Sequence, residues 1–211
     1  METKVTIGES MIFHHYLEKV LGSKIKINTL RALHKFPRKD FTTRELAKFM
    51  GASHSGVLKA LKDLEEMNVI TIGMHGKAHL LRLNEKSFLA KNLLRIFDIE
   101  EKTIDQLVQE LRRSTKDLTA TSIALYGSIV KHVESPRSDI DLLLITENKR
   151  GVEEKISVLQ KRFSDIFGNS ISPYFLTSKE FNEKKNTKFV KDILENHILI
   201  QGRKLEDINA D

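Results

Sequence analysis

Residues Ala124–Ile145 read ALYGSIVKHVESPRSDIDLLLI, and the order of residue types in this stretch decides what the second half of the chain is. An apolar run ends at Tyr126, Gly127 and Ser128 follow, ten residues intervene, and Asp139 and Asp141 then open a second apolar run. The spacing predicts a strand, a turn into a helix, and a buried strand. Gly127 lets the backbone approach a phosphate closely, and Ser128 offers a hydroxyl and an N–H at a helix start, where anions are favoured. Side chains alternate along a strand, so aspartates two apart point the same way. Two carboxylates on one face at the head of a hydrophobic strand suit Mg²⁺ or Mn²⁺. Burying both without a cation would be costly, whereas a solvated pair at the strand's edge would need no ligand.

Outward from this stretch, VEEKISVLQKRFSDIF predicts a helix, SISPYFLT a third strand, and FNEKKNTKFVKDILEN one or two helices before the short apolar HILI. A small mixed-sheet α/β domain over 118–211 is expected. The Gly-Ser and Asp-x-Asp set at this distance resembles the nucleotidyltransferase superfamily that includes DNA polymerase beta and the minimal nucleotidyltransferases. That resemblance implies that Gly127, Ser128 and Arg137 bind ATP or another nucleoside triphosphate, while Asp139 and Asp141 are catalytic and hold the metal. Attack of an acceptor hydroxyl on the α-phosphorus, with pyrophosphate leaving, is the implied reaction. Small members of the superfamily occur in toxin–antitoxin pairs and modify a partner protein, so a protein or RNA acceptor is implied beside a small-molecule hydroxyl.

One part of the pattern is missing. Active members carry a third carboxylate on the next strand, and SISPYFLT has none. Ser170 and Ser172 occupy the plausible positions, with Tyr174 on the same face by alternation. Serine cannot replace a carboxylate as base or charged ligand. Lys131 and Arg137 would steady phosphates or be solvated loop charges.

The first half reads differently. SKIKINTLRALHKF places Ile25, Ile27, Leu30, Leu33 and Phe36 on an amphipathic helix stopped by Pro37. TTRELAKFMG follows, with Thr42 and Glu45 spaced for a capping box and Gly51 for a C-cap. Ser53 then caps SHSGVLKALKDLEEMN, whose apolar stripe is Val57, Leu58, Leu61, Leu64 and Met67. VITIG and AHLLRLN, joined by MHGK with Gly73 and Gly76 placed for the turn, predict a hairpin.

Helix, helix, helix, hairpin over 1–84 resembles the winged helix-turn-helix transcription regulators. The resemblance implies double-stranded DNA as partner. Ser53, His54, Ser55, Lys59 and Lys62 would lie on the reading helix, Thr43 and Arg44 at the backbone, and Lys77 with His75 and Arg82 on the wing. Winged helices also serve as protein-interaction modules, which leaves that role open. The stretch 85–117, through SFLAKNLLRIF and TIDQLVQELRR, predicts connecting helices that would also supply a homodimer contact. The fold class expected for the whole is therefore α+β, a winged helix followed by a nucleotidyltransferase-like domain.

Charge supports the division. The chain has 211 residues and a net charge of +6, and residues 1–84 hold 14 Lys/Arg against 8 Asp/Glu, whereas the remainder holds 21 of each. Basic excess confined to one module suits a polyanion-binding surface, or a merely solvated one. No cysteine is present, which excludes disulfides, thiolate metal sites and thiol nucleophiles. No segment has the length and apolarity to span a bilayer, so a soluble, cytoplasmic protein without membrane partners is expected. His75 and His79 lack companions at ligand spacing, and His14 and His15 have no evident partner. Two readings compete: a Mg²⁺-dependent nucleotidyltransferase with an attached DNA-binding module, and a DNA-binding regulator whose second domain only binds nucleotide. A scaffold without ligand is the third.

Overall fold

Ser23, Thr42 and Ser53 each end an extended stretch and start a helix by accepting a backbone N–H on the side-chain oxygen. In the computed structural model, which describes residues 17–75, 78–135 and 138–209, these helices are α2 (Lys24–Lys35), α3 (Thr43–Met50) and α4 (His54–Glu66), preceded by α1 (Leu17–Leu21). The Thr42–Glu45 capping box forms as expected: the Glu45 N–H donates to Thr42 Oγ1 at 3.2 Å and the Thr42 N–H to Glu45 Oε2 at 2.7 Å. The Thr42 N–H, and then the Thr42 hydroxyl donating to the same Glu45 Oε2 at 2.9 Å, hold the Glu45 carboxyl below its usual range. Gly51 adopts φ +60° and closes α3, a left-handed cap that suits glycine.

Contacts divide the chain into two units, Met1–Glu101 and Lys102–Asp211. In the first, β1 (Phe41–Thr42), β2 (Ile70–His75) and β3 (Ala78–Leu83) make an antiparallel sheet in the order β1-β3-β2. Leu30, Leu33, Leu46, Leu61, Leu64 and Leu81 fill the core beneath it. Lys26 is buried there only because it pairs with Asp63 at 2.5 Å and donates to the Lys19 carbonyl.

Three expectations for this unit are corrected. Leu58 is 49 % exposed and so lies off the apolar stripe of α4. Phe36 is also exposed, because α2 has already ended at Lys35. Gly73 is not a turn residue: it pairs with Leu80 inside β2, which continues to His75. The turn itself, Gly76 and Lys77, lies outside the described residues.

The stretch expected to hold separate connecting helices is one helix, α5 (Phe88–Thr115), because no glycine or proline interrupts it. Leu89, Ala90, Leu93 and Phe97 pack in the first unit's core, and Leu107, Val108 and Leu111 in the second's.

The second unit is a four-stranded mixed sheet of β4 (Ser122–Tyr126), β5 (Ile140–Ile145), β6 (Ile171–Leu176) and β7 (Ile198–Gly202), in the order β6-β5-β4-β7. β5 and β6 run parallel, which requires a crossover, and α6 (Lys149–Phe167) supplies it. The remaining pairs are antiparallel. HILI forms the fourth strand at the sheet edge. α7 (Ser178–Lys184) and α8 (Lys188–Glu195) are separate helices, each capped by a threonine.

Helices cover both faces. Ile123, Leu125, Ile140, Leu142 and Leu144 meet α5 and α6, whereas Ala124, Leu143, Ile145 and Leu176 meet α7, α8 and the turn Leu205–Asp207. This two-sided burial is why Leu142–Ile145 read as a continuous apolar run rather than alternating. The sheet is thus covered on both faces, and the polar head of the inner strand β5 stands at one end of it.

Candidate functional site

β4 leads directly into Gly127, and β5 is pinned beside it by the pairing of Tyr126 with Asp141. Gly127 has φ +83°, and a Cβ there would fall 2.1 Å from Asp141 Oδ2. Glycine is thus required because the Asp141 carboxylate rests against its backbone, a reason additional to phosphate approach. After Ser128 the chain forms hydrogen-bonded turns and no assigned helix, which corrects the expected turn into a helix. Backbone bonds Lys131 N–H to Gly127 O, 3.2 Å, and Val133 N–H to Ser128 O, 3.0 Å, hold this turn. The Ser128 hydroxyl makes no hydrogen bond among the described residues.

Asp139 is exposed just before β5, and Asp141 is half-buried at its second position. By alternation Asp141 shares the sheet face of Leu143 and Ile145. Neither carboxylate has a hydrogen bond or ion pair among the described residues. Burial, and then the charge of Asp139, push the Asp141 carboxyl above its ordinary value. Burial, followed by the charges of Asp141 and Tyr174, pushes the Tyr126 phenol up to about 12. Tyr126 is accordingly a neutral O–H throughout the physiological range.

The third position follows from register. Ser172 is the parallel-strand partner of Asp141, so a hydroxyl stands where a further carboxylate would complete the set. Among the described residues no cluster of three or more acidic or histidine side chains is arranged for a metal. Two oxygen-bearing anions that repel each other and have no counter-charge among the described residues are nonetheless a donor set that a hard divalent cation fits.

Lys131 does not point a free charge at this site: it pairs with Asp192 of α8 at 2.6 Å. Arg137 lies outside the described residues. Sequence reasoning missed Asp192 and Phe189, which have no local signal and reach the site only through the fold. A cavity of about 400 Å³ lies under the other sheet face, lined by Ile104, Leu107, Ile129, Ile140 and Phe167 with Ser138 at its rim. Asp139 and Asp141 do not line it, and its apolar wall does not suit phosphate.

Residues 108–206 match the family model for Polymerase beta, Nucleotidyltransferase. This stretch is similar to the nucleotidyltransferase domains of that family. The domain spans β4 to β7 and contains Gly127, Ser128, Asp139 and Asp141. Solved structures similar to the chain include a toxin–antitoxin crystallised with AMP-PNP, at 13 % identity over 47 % of this chain and 77 % of that one, TM-score 0.33. AF1382 from Archaeoglobus fulgidus is 24 % identical over 37 % of this chain and 98 % of its own, TM-score 0.29. Likenesses this low carry no inference about the nucleotidyltransferase domain. No curated protein matches the chain.

In the first unit, Arg44, Ser53, His54, Ser55, Lys59 and Lys62 are exposed, whereas Thr43 is buried with 8 % of its surface open. Ser53 is engaged by the Gly56 N–H at 3.2 Å. Ser55, Lys59 and Lys62 fall on one stripe of α4, and the exposed Leu58 lies among them. Lys62 is 3.9 Å from Glu66. Arg82 is occupied by Asp40, its Nη2 donating to Oδ2 at 2.7 Å. Lys77 is outside the described residues. Among those described, no helix is long and apolar enough to cross a membrane.

Proposed function

We propose that the protein is a Mg²⁺-dependent nucleotidyltransferase that moves a nucleotide from ATP or another triphosphate to an acceptor hydroxyl, with a DNA-binding winged helix attached. The observation that carries the proposal is the Asp139/Asp141 pair, without a counter-charge among the described residues, with the Asp141 carboxylate resting on Gly127, the residue before Ser128.

The turn at Gly127 and Ser128 receives the triphosphate, Ser128 donating its hydroxyl to a phosphate oxygen. Asp139 and Asp141 hold Mg²⁺ or Mn²⁺, which when bound offsets the charge of the phosphates and of the departing pyrophosphate. The acceptor oxygen forms a bond to the α-phosphorus as the bond to the bridging oxygen breaks. Tyr126, neutral beside Asp141, offers a proton in a hydrogen bond without adding charge.

In the first unit, the helix order and the three-stranded sheet support the winged-helix reading, and the stripe Ser55, Lys59, Lys62 supports DNA contact. The exposure of Arg44 supports a contact with the DNA backbone, whereas buried Thr43 would act only through the start of α3. Leu58 suits contact with a thymine methyl group. A homodimer, with two modules on paired half-sites, is part of the proposal.

Ser172 beside Asp141 favours a second reading, in which the domain binds Mg²⁺–nucleotide, turns it over little, and reports nucleotide to the DNA-binding module. Label transfer from α-³²P nucleoside triphosphates into host protein and RNA, with Mg²⁺, separates the two. Transfer by the wild type and none by Asp139→Asn/Asp141→Asn is the expected result. Nucleotide binding without transfer supports the second reading.

A further inference from the structure

Beside Asp141 on the same sheet face lie three aromatic rings from three different elements. Tyr126 ends β4, Tyr174 lies in β6, and Phe189 lies in the first turn of α8. Phe189 meets both tyrosines edge-on, with ring centroids 5.8 Å from Tyr126 and 5.4 Å from Tyr174. Such T-shaped contacts fix ring orientation. Phe189 nevertheless keeps 46 % of its surface exposed.

The cluster is also tied to the phosphate turn. Tyr126 immediately precedes Gly127, and Lys131, from the turn after Ser128, grips Asp192 one helical turn beyond Phe189. The helix that carries the exposed ring is thus fixed to the turn that would receive the triphosphate. On the far side, Lys184 Nζ reaches the Tyr174 hydroxyl at 3.3 Å and lies 5.7 Å from its ring centroid. A planar, electron-poor ring linked to the triphosphate is the ligand chemistry this surface suits.

We propose that Phe189, backed by Tyr126 and Tyr174, is the stacking surface for the nucleobase of the bound triphosphate. The inference rests on the nucleotide-site reading above and assigns recognition of the base to α8 and not to the Gly-Ser turn. Stacking tolerates any base, so discrimination among bases is modest and favours purines.

The test compares two probes, ATP and inorganic triphosphate, each titrated calorimetrically with Mg²⁺ into the full chain. Phe189→Ala weakens ATP by about tenfold or more and leaves inorganic triphosphate unchanged, and Phe189→Trp restores ATP affinity. Unchanged ATP affinity in Phe189→Ala, or equal losses for both probes, overturns the inference and leaves the nucleotide site standing. Failure of the wild type to bind either probe contradicts the site and the inference together.

Discussion

At Asp141 the fold and the proposed cation site pull in opposite directions. Its carboxyl is pushed above 3.8 by burial and by Asp139, so the fold disfavours the ionised form. For an acid with a raised folded pKa, the penalty is full above that pKa and vanishes as pH falls below the unfolded value. Asp141→Asn is therefore expected to raise Tm at neutral pH in EDTA, with the gain shrinking to nothing below pH 3.8. Thermal melts across pH check this, and an equal gain at all pH values would mean that the charge is not its source. Ser172 gives the complementary case. Ser172→Asp places a carboxylate at the register partner of Asp141, and is expected to lower Tm without metal and to strengthen Mn²⁺ binding at least several-fold. Weaker Mn²⁺ binding would show that Ser172 does not face the donor set.

At the scale of elements, much is legible in the sequence because local chemistry decides it. The capping box of α3, the glycine that closes it and the serine that starts α4 are interactions over three or four residues, which a sequence displays directly. Leu58 departs from its expected place because an apolar stripe has a ragged edge, and only the packing of the neighbouring helices decides which side of it is covered. The expected helix after Ser128 is absent for another reason: its residues close as turns under the Gly127 and Ser128 carbonyls. The sequence of α5 shows two apolar stretches, one around Leu89–Phe97 and one around Leu107–Leu111, although no breaker separates them. The exposed stripe of α4 carries its own prediction. Lys59→Ala/Lys62→Ala is expected to weaken duplex DNA binding and to lower the salt-dependence slope by about 2, one for each phosphate no longer neutralised. An unchanged slope by fluorescence anisotropy would remove α4 from the interface.

For the whole molecule, the division into two units is visible in composition, since the basic excess and the Asp-x-Asp pair lie in different parts of the chain. The aromatic cluster and the Lys131–Asp192 pair are not visible there, because each joins residues that only the sheet and α8 bring together. The two units have separate hydrophobic cores, one in residues up to Glu101 and the others beyond it. Fragment 102–211 is accordingly expected to fold alone and to melt cooperatively, with circular dichroism as the check. A fragment without a cooperative transition would show that its cores need the first unit.

Asp139 and Asp141 are proposed to hold a divalent cation together with a nucleoside triphosphate. Calorimetric titration of ATP into the wild type, with Mg²⁺ and again with EDTA, tests it most directly when repeated on Asp139→Asn/Asp141→Asn. ATP binding that requires Mg²⁺ and is lost in the double variant is the expected result. ATP binding that is equal in EDTA, or that survives in the double variant, would contradict it.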